Sequence, residues 1–454
     1  MSPVDRTRAP ARSGPLSPRL PRLERTTLSN GLRVASSHWN ATPETLIELA
    51  LPGGRAAETP EEQGLASFVA RALTEGTRRH STLELLDALD FLGADLRAGT
   101  DDTSLVLSLR VLDRHLEPAL EILADVLLEP RFDAESLERV RKLRLASIAT
   151  RGDEAARVAH HVWDRLIHGA SSSLGRSALG TETTVRSFDE ARLRQFHAKS
   201  LDPRAAQLAI VGRWTPDELR TRLEPLARRW SAPKGPILPQ NQPVSAPAAP
   251  GLYVVDRPDA PQTELRLGHL SVAVSDPDAL ALSALNYPLG GVFTSRINLE
   301  LREKKGYTYG ARSDFELAPW PAPFTVGAAV HAQHTADSIT TVRALLEQYL
   351  AGPTQAEVDF TRDSLEQALA RQFETPASRL AFVRRVQLFG WPDDYPLLRL
   401  RQLVELGPTG LASLAQRHLR PSSLIVLAVG DARQLSSLAP FTPLDIDGAP
   451  LATS

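Results

Sequence analysis

The sequence contains no cysteine among its 454 residues, and this absence excludes disulfide bonds, thiolate metal sites and cysteine nucleophiles. Net charge is also nearly absent: at -2, with 23% charged residues, the composition indicates neither a nucleic-acid partner nor an anionic membrane. No apolar run approaches the ~20 residues that a membrane-spanning helix needs. Neither a Walker loop nor a dinucleotide-binding glycine motif occurs, so a nucleotide cofactor is not indicated.

The first 25 residues are rich in arginine, proline and serine, and they lack the apolar core of a secretory signal. This composition predicts a disordered leader at residues 1–25. A cytoplasmic location is therefore expected, with the periplasm as the alternative if the N-terminus has been trimmed.

The length of the chain is too great for one hydrophobic core and predicts at least two domains. Two short sequences recur along it. The tetrapeptide 31–34 is echoed by 251–254, and the strand-like segment ending at Gly212 is echoed by one ending at Gly430, at offsets of 220 and 218 residues. Two echoes at nearly one offset indicate duplicated domains.

The proline-rich segment 232–250 shows neither helix nor strand patterns and predicts a linker between the duplicates. We therefore predict domains at 26–231 and 251–442, followed by a tail at 443–454. In each half, strand patterns lie at the ends and helix patterns in the middle. This arrangement is typical of the α+β class, with helices covering one face of a largely antiparallel sheet.

The segment 290–310 combines a structural pattern with convergent polar groups. Its apolar residues repeat as on one helix face, and Gly306 is suited to end that helix before a strand begins. This turn would bring Arg302 near Tyr309. Both side chains are hydrogen-bond donors at neutral pH, which suits them to hold a peptide carbonyl or the oxyanion formed from it. The alternative is structural: Arg302 pairs with Glu303 or another nearby carboxylate, and the two tyrosines, Tyr307 and Tyr309, are half-buried in a sheet.

A helix is predicted from Pro60 to Glu75, with an apolar stripe that leaves Ser67, Ala70 and Arg71 to one side. Two other polar groups have plain structural explanations. The pair His331 and His334 falls at a strand-to-helix junction with few other ligands nearby, so a solvated or hydrogen-bonding role is expected. The basic run 139–144 is interleaved with apolar residues and predicts a solvated helix face.

Several of these segments together resemble the M16 peptidase family, which includes insulinase, pitrilysin and the mitochondrial processing peptidase. The matching segments are 28–34, 60–77, 180–182, 210–212 and 301–310. The resemblance implies two homologous αβ domains of the processing-peptidase type, facing each other or a partner's pair across a closed chamber. It also implies zinc chemistry, because active members carry His-x-x-Glu-His on the helix that 60–75 resembles.

This sequence departs from that motif at each essential position. Ser67 stands in place of the first histidine, Ala70 in place of the glutamate and Arg71 in place of the second histidine. A further glutamate ligand comes from a later helix in the family; here Glu135 and Glu138 are followed by the basic run. No metal is therefore expected in this chain, since neutral serine is a poor zinc ligand and a guanidinium repels the ion.

Arg302 and Tyr309, in contrast, match the arginine and tyrosine with which the family binds substrate. The resemblance thus implies a non-catalytic, substrate-binding subunit of a heterodimeric zinc metalloendopeptidase. Its partner would be a paralogue that carries His-x-x-Glu-His and the zinc, and its substrate would be a peptide or an unfolded protein. Two alternatives stay open: an inactive scaffold subunit of a larger assembly, and a clamshell that binds peptides without hydrolysis.

Overall fold

The computed structural model describes residues 19–232, 245–438 and 440–451. The strands of the first half are β1 Leu23–Thr27, β2 Arg33–His38, β3 Glu44–Pro52, β4 Asp95–Thr100, β5 Ser104–Leu112 and β6 Gln207–Gly212. The first half joins them in one six-stranded sheet, in the order β1-β2-β6-β3-β5-β4. Its helices are α1 Leu65–Leu73, α2 Thr82–Leu92, α3 Leu116–Leu128, α4 Ala134–Ala149, α5 Ala155–His168, α6 Glu182–Ser187, α7 Glu190–Ser200 and α8 Pro216–Arg229.

The strands of the second half are β7 Gly251–Asp256, β8 Gln262–Leu270, β9 Thr308–Phe315, β10 Pro323–His331, β11 Ile425–Gly430 and β12 Thr442–Leu444. This half repeats the plan of the first in five strands, in the order β12-β7-β11-β8-β10-β9, but β12 pairs parallel to β7 whereas β1 pairs antiparallel to β2. Its helices are α9 Ala279–Asn286, α10 Arg296–Asn298, α11 Thr335–Tyr349, α12 Gln355–Arg371, α13 Pro376–Phe389 and α14 Tyr395–His418, with π-helical turns at Tyr287–Gly291 and Leu299–Lys304. The predicted α+β class with two homologous domains is confirmed.

Both sheets are mixed, because β2 runs parallel to β6 and β7 runs parallel to β11. Each of these pairs starts at equivalent positions: Arg33 faces Gln207, and Gly251 faces Ile425. The equivalent strands therefore differ by 218 residues in both cases. The echo at 251–254 is displaced by two residues from this register, which leaves its side chains on the same face because strands alternate with a period of two.

Helices cover both faces of each sheet, and not one face as the sequence patterns indicate, because the two halves exchange a helix. Helix α5 of the first half places Val162 and Ile167 against Leu427 on the second sheet. Helix α13 of the second half places Val383 against Val211 on the first sheet. A hydrogen bond also joins the two halves, because Nε1 of Trp163 in α5 donates to the hydroxyl of Thr325 in β10 at 3.1 Å. The two halves are thus packed directly on each other.

The predicted outer boundaries need correction. Strand β1 begins at Leu23, inside the predicted leader 1–25, of which residues 1–18 lie outside the described residues. The predicted tail begins inside β12, and its Asp447 accepts a hydrogen bond from Arg151 of the first half. Within the predicted linker, 233–244 lie outside the described residues. In the described parts of the chain, no helix is long and apolar enough to cross a bilayer.

Candidate functional site

Helix α1 carries the positions of the degenerate zinc motif. It begins at Leu65, later than predicted, because Pro60–Glu62 forms a separate 3-10 turn and Gly64 adopts a φ of +87°. A Cβ at Gly64 would lie 2.5 Å from the backbone nitrogen of Gly180, so glycine is required at this close approach. Phe68 and the rest of the predicted apolar stripe are buried.

Ser67 uses its hydroxyl within the protein. The Oγ donates to the carbonyl oxygen of Ala178 at 2.6 Å and accepts from Nη1 of Arg144 at 2.8 Å. Ala70, expected beside the stripe, is only 1% exposed and belongs to the core of the first half. These two motif positions therefore present to a metal only a hydroxyl that already makes its hydrogen bonds and a buried methyl group.

Arg71 forms an ion pair at 2.9 Å with Glu75, which lies four residues later, just beyond the end of α1. The same carboxylate, which is almost fully buried, also accepts from Arg139 of α4. Two guanidiniums thus share one carboxylate beside the motif.

The basic run 139–144 is not the solvated helix face that the sequence predicts. Arg139 pairs with Glu75, Arg141 donates to the carbonyl oxygens at the end of α6, and Arg144 donates to Ser67. These long side chains reach across to neighbouring elements, which the spacing along α4 does not reveal. Glu138 pairs with Arg141 at 3.0 Å, and Glu135 is exposed in the first turn of α4.

Glu58 is a buried carboxyl group at the start of α1 that the sequence analysis missed. Its two oxygens accept from the backbone N–H groups of Gly64 and Ala66 at 3.0 and 2.8 Å. Burial raises the pKa of Glu58 to about 7, against the lowering effect of these hydrogen bonds and of nearby arginines. No motif marks such a residue in the sequence, because its environment comes from the fold.

This raised pKa predicts a specific pH dependence of stability. Since the folded state binds the Glu58 proton more tightly than the unfolded chain, the stabilising contribution is present below about pH 4.5 and is lost as the pH rises through about 7. We expect the free energy of unfolding of wild type to fall more between pH 6 and pH 8 than that of Glu58→Gln. Urea denaturation at both pH values checks this, and parallel pH slopes would contradict it.

The donors at α1 do not fit zinc. Zinc sites in proteins use anionic or imidazole ligands. The motif positions instead carry the Ser67 hydroxyl, which is engaged in two hydrogen bonds, the buried methyl group of Ala70 and the guanidinium of Arg71. In the described ranges, one group of three potential ligands lies close together: Asp276, Asp278 and His418, in the other half. The same oxygen of Asp278 is already held by Arg417 and His418, both at 2.8 Å.

Arg302 lies in the π-helical turn Leu299–Lys304 and not in the continuous helix that the periodicity predicts. Its guanidinium carbon is 4.2 Å from the ring centroid of Phe293, and its Nε is 3.5 Å from the carboxylate of Glu303. The contact with Glu303 is too long for a strong hydrogen bond. Gly306 then adopts a φ of +67° and turns the chain toward β9.

Tyr309 projects from β9 and is 85% exposed, so it is not a half-buried sheet residue. Its neighbour Tyr307 lies just before the strand and stacks on His334, with ring centroids 3.9 Å apart. His334 also contacts Gln333 at 3.1 Å. The phenol of Tyr309 is thus available to a molecule outside the chain.

Two buried asparagines fix the segment that carries Arg302 and Tyr309. Asn298 Oδ1 accepts from the backbone N–H of Ala311 at 2.9 Å. Asn286 Nδ2 donates to the carbonyl oxygen of Ser313 at 2.6 Å, and its Oδ1 accepts from the Ser313 hydroxyl. Both amides therefore satisfy groups of the edge strand β9. The sequence analysis missed both asparagines, although Asn298, a polar residue within the apolar pattern of 290–310, was a usable signal.

Comparisons with known proteins agree with this architecture. A family model described as Insulinase (Peptidase family M16) matches residues 33–182, and one described as Peptidase M16 inactive domain matches residues 187–365. A Mycobacterium tuberculosis protein named as an uncharacterized zinc protease is 28% identical over 366 residues, 80% of this chain and 83% of that protein. A Helicobacter pylori protein named as a non-peptidase homolog is 22% identical over 396 residues, 86% of this chain and 90% of that protein.

Among solved structures, the peptidase M16 inactive domain from Pseudomonas fluorescens matches with a TM-score of 0.82 and 25% identity, over 90% of this chain and 98% of that one. The two family models together cover more than two thirds of the sequence. The chain belongs to peptidase family M16, without the His-x-x-Glu-His motif and with a second half of the type that the family model describes as inactive.

Proposed function

We propose that this chain is the non-catalytic, substrate-binding subunit of a heterodimeric M16 zinc metalloendopeptidase. Its partner is a paralogue with an intact His-x-x-Glu-His motif, which holds the zinc and the general base. This chain supplies Arg302 and Tyr309, which donate hydrogen bonds to the carbonyl of a bound peptide and to the oxyanion that forms from it. The two chains close a chamber around the substrate.

The observation that carries this proposal is that β9 is held firmly by hydrogen bonds while the phenol of Tyr309 on the same strand is exposed. The asparagine contacts hold β9 and the preceding turns in one geometry, as a preorganised site requires. Yet Tyr309 is 85% exposed. An oxyanion donor works best where water is excluded, so a cover from a second chain would complete the site.

The packing of the two halves also supports the proposal that a second chain covers Tyr309. Helices α5 and α13 lie between the halves and pack on opposite sheets. The halves are therefore joined by apolar contacts and do not need to separate to form a chamber. A site that requires enclosure is more simply completed by another subunit than by opening this core.

The test is reconstitution with a His-x-x-Glu-His paralogue from the same genome. We expect the two chains to copurify and the mixture to cleave a quenched-fluorescence peptide, whereas this chain alone does not. Metal analysis is expected to assign the zinc to the partner. Stoichiometric zinc in this chain alone, or equal activity of the partner without it, would contradict the proposal.

A scaffold role is favoured by one observation, the satisfied contacts of Ser67. The Ser67 hydroxyl has its hydrogen-bond partners within this chain, as a purely structural subunit would require. The two roles differ in the reconstituted enzyme. A scaffold would restore assembly but would be insensitive to changes at Arg302 and Tyr309.

A further inference from the structure

Arg144 differs in its partners from the other arginines of helices α1 and α4. Arg71 and Arg139 share the carboxylate of Glu75, and Arg141 pairs with Glu138. Arg144 has hydrogen bonds to neutral oxygens alone, the hydroxyl of Ser67 at 2.8 Å and the carbonyl of Ala178 at 3.4 Å. Both bonds use Nη1. Across the described ranges, its guanidinium has no carboxylate within ion-pair distance.

The one acidic group whose charge is found to raise the pKa of Arg144 is Glu58, and the two side chains share no hydrogen bond or ion pair in the described residues. Both oxygens of Glu58 are held by the first backbone N–H groups of α1, and burial raises the pKa of its carboxyl group to about 7. Burial also lowers the pKa of Arg144 itself, with Glu58 opposing this only at a distance. A guanidinium that is partly removed from water without a counter-charge is energetically unfavourable, so an external anion would stabilise it.

The remaining donors of Arg144 are not completely sealed from solvent. Its Nε and Nη2 make no hydrogen bond to any described residue, and neither is among the polar atoms sealed from solvent without a partner. The two groups form one edge of the planar guanidinium. Such an edge matches the two oxygens of a carboxylate in a bidentate pair.

We infer that Arg144, oriented by Ser67, is a binding site for the carboxylate of a peptide, at the position where active relatives hold their metal. The inference rests on the proposed function, since it takes the ligand to be the peptide in the shared chamber. Where a partner's zinc polarises a carbonyl, this chain offers a fixed cation that attracts an anion. The carboxylate comes from the C-terminus of the peptide or from an acidic side chain.

Binding of labelled peptides to the purified full-length chain tests the site. Three short peptides of one sequence are compared by fluorescence anisotropy at low salt: one with a free C-terminal carboxylate, one with an amidated C-terminus, and one amidated with an internal glutamate in place of glutamine. We expect at least one carboxylate-bearing peptide to bind about tenfold or more tightly than the neutral amide. Which of the two does so identifies the source of the carboxylate.

Arg144→Gln should remove this preference and leave the affinity for the neutral amide unchanged. Lys142→Gln is the matched control, because it deletes the same charge from an exposed position on the same helix and should retain the preference. Arg144→Lys keeps the charge without the paired donors and should retain a reduced preference. This variant also covers the case in which Arg144→Gln unfolds, which melting temperatures would reveal.

Equal affinities of all three peptides for wild type, or an unchanged preference in Arg144→Gln, would overturn the inference. A lower melting temperature with unchanged binding would assign Arg144 a structural role. The experiment uses no partner and no turnover, so its failure is separate from that of the proposed function. Conversely, a carboxylate preference could survive even if no peptidase partner were found.

Discussion

Tyr309→Phe is expected to lower kcat of the reconstituted peptidase by on the order of 10²-fold to 10³-fold, the usual effect of losing one oxyanion donor. The substitution removes a hydroxyl and keeps the ring. Because the hydroxyl interacts more strongly as negative charge develops, the loss should fall on turnover more than on KM. Steady-state kinetics of the heterodimer, with wild type and variant prepared in parallel, measure it.

Tyr309→Phe should not change the stability of the fold. Tyr309 is 85% exposed and contributes little to the core, and the amides of Asn286 and Asn298 hold β9 independently of it. The melting temperature and the affinity for the partner should therefore stay as in wild type. Tyr307→Phe is the matched control, since that ring lies two residues earlier and stacks on His334. Its kcat is expected to be unchanged.

Arg302→Ala should differ from Tyr309→Phe in its effect on the kinetics. The guanidinium also lies over Phe293, which is already 59% exposed, so its loss uncovers more of that ring and removes one of the two proposed substrate donors. We expect a rise in KM as well as a fall in kcat. If Tyr309→Phe retains full turnover, or lowers the melting temperature alone, the scaffold role becomes the better account of the chain.

Periodicity predicted those parts of the fold that depend on local burial. The stripe around Phe68 is buried as expected, and Gly306 turns the chain toward β9. Periodicity could not tell what each apolar face would cover. Helices α5 and α13 have ordinary apolar faces, but each packs on the sheet of the other half, and this choice depends on the tertiary topology.

The candidate site was only partly visible for a related reason. A motif identifies residues by spacing, so Ser67, Ala70 and Arg71 were found as departures from a known pattern. Arg144 acts through the length of its side chain, which spans from α4 to Ser67. Glu58 matters because of where α1 begins. Contacts of this kind follow from packing between elements and leave no regular spacing in the sequence.

Arg144 should also keep zinc from binding at α1, even where histidines are restored there. Ser67→His combined with Arg71→His restores two histidines one helical turn apart but should give no stoichiometric zinc binding. The Arg144 guanidinium lies within hydrogen-bonding distance of the residue-67 side chain. A unit charge about 4 Å from a divalent ion costs several kcal/mol even at an effective dielectric constant of about 20.

Adding Arg144→Glu to the two histidines should raise zinc affinity by on the order of 10²-fold or more, because it replaces this repulsion with a third ligand. Competition with a chromophoric chelator, together with elemental analysis, measures it. Arg144→Gln on the two-histidine background is the control that removes the charge without adding a ligand, and its affinity should lie between. Equal zinc affinity with and without the Arg144 substitution would show that this guanidinium does not repel the ion.

The same variants should still lack peptidase activity, because they keep Ala70 and therefore have no general base. A glutamate at this position should destabilise the fold. Ala70 is 1% exposed within the core of the first half. Ala70→Glu would place extra volume and a carboxylate there, and each is destabilising on its own. We expect this substitution to lower the free energy of unfolding by several kcal/mol in urea denaturation, whereas Ala70→Gly should lower it less. An Ala70→Glu variant as stable as wild type would show that the side chain can turn out of the core and that the helix still accepts a base.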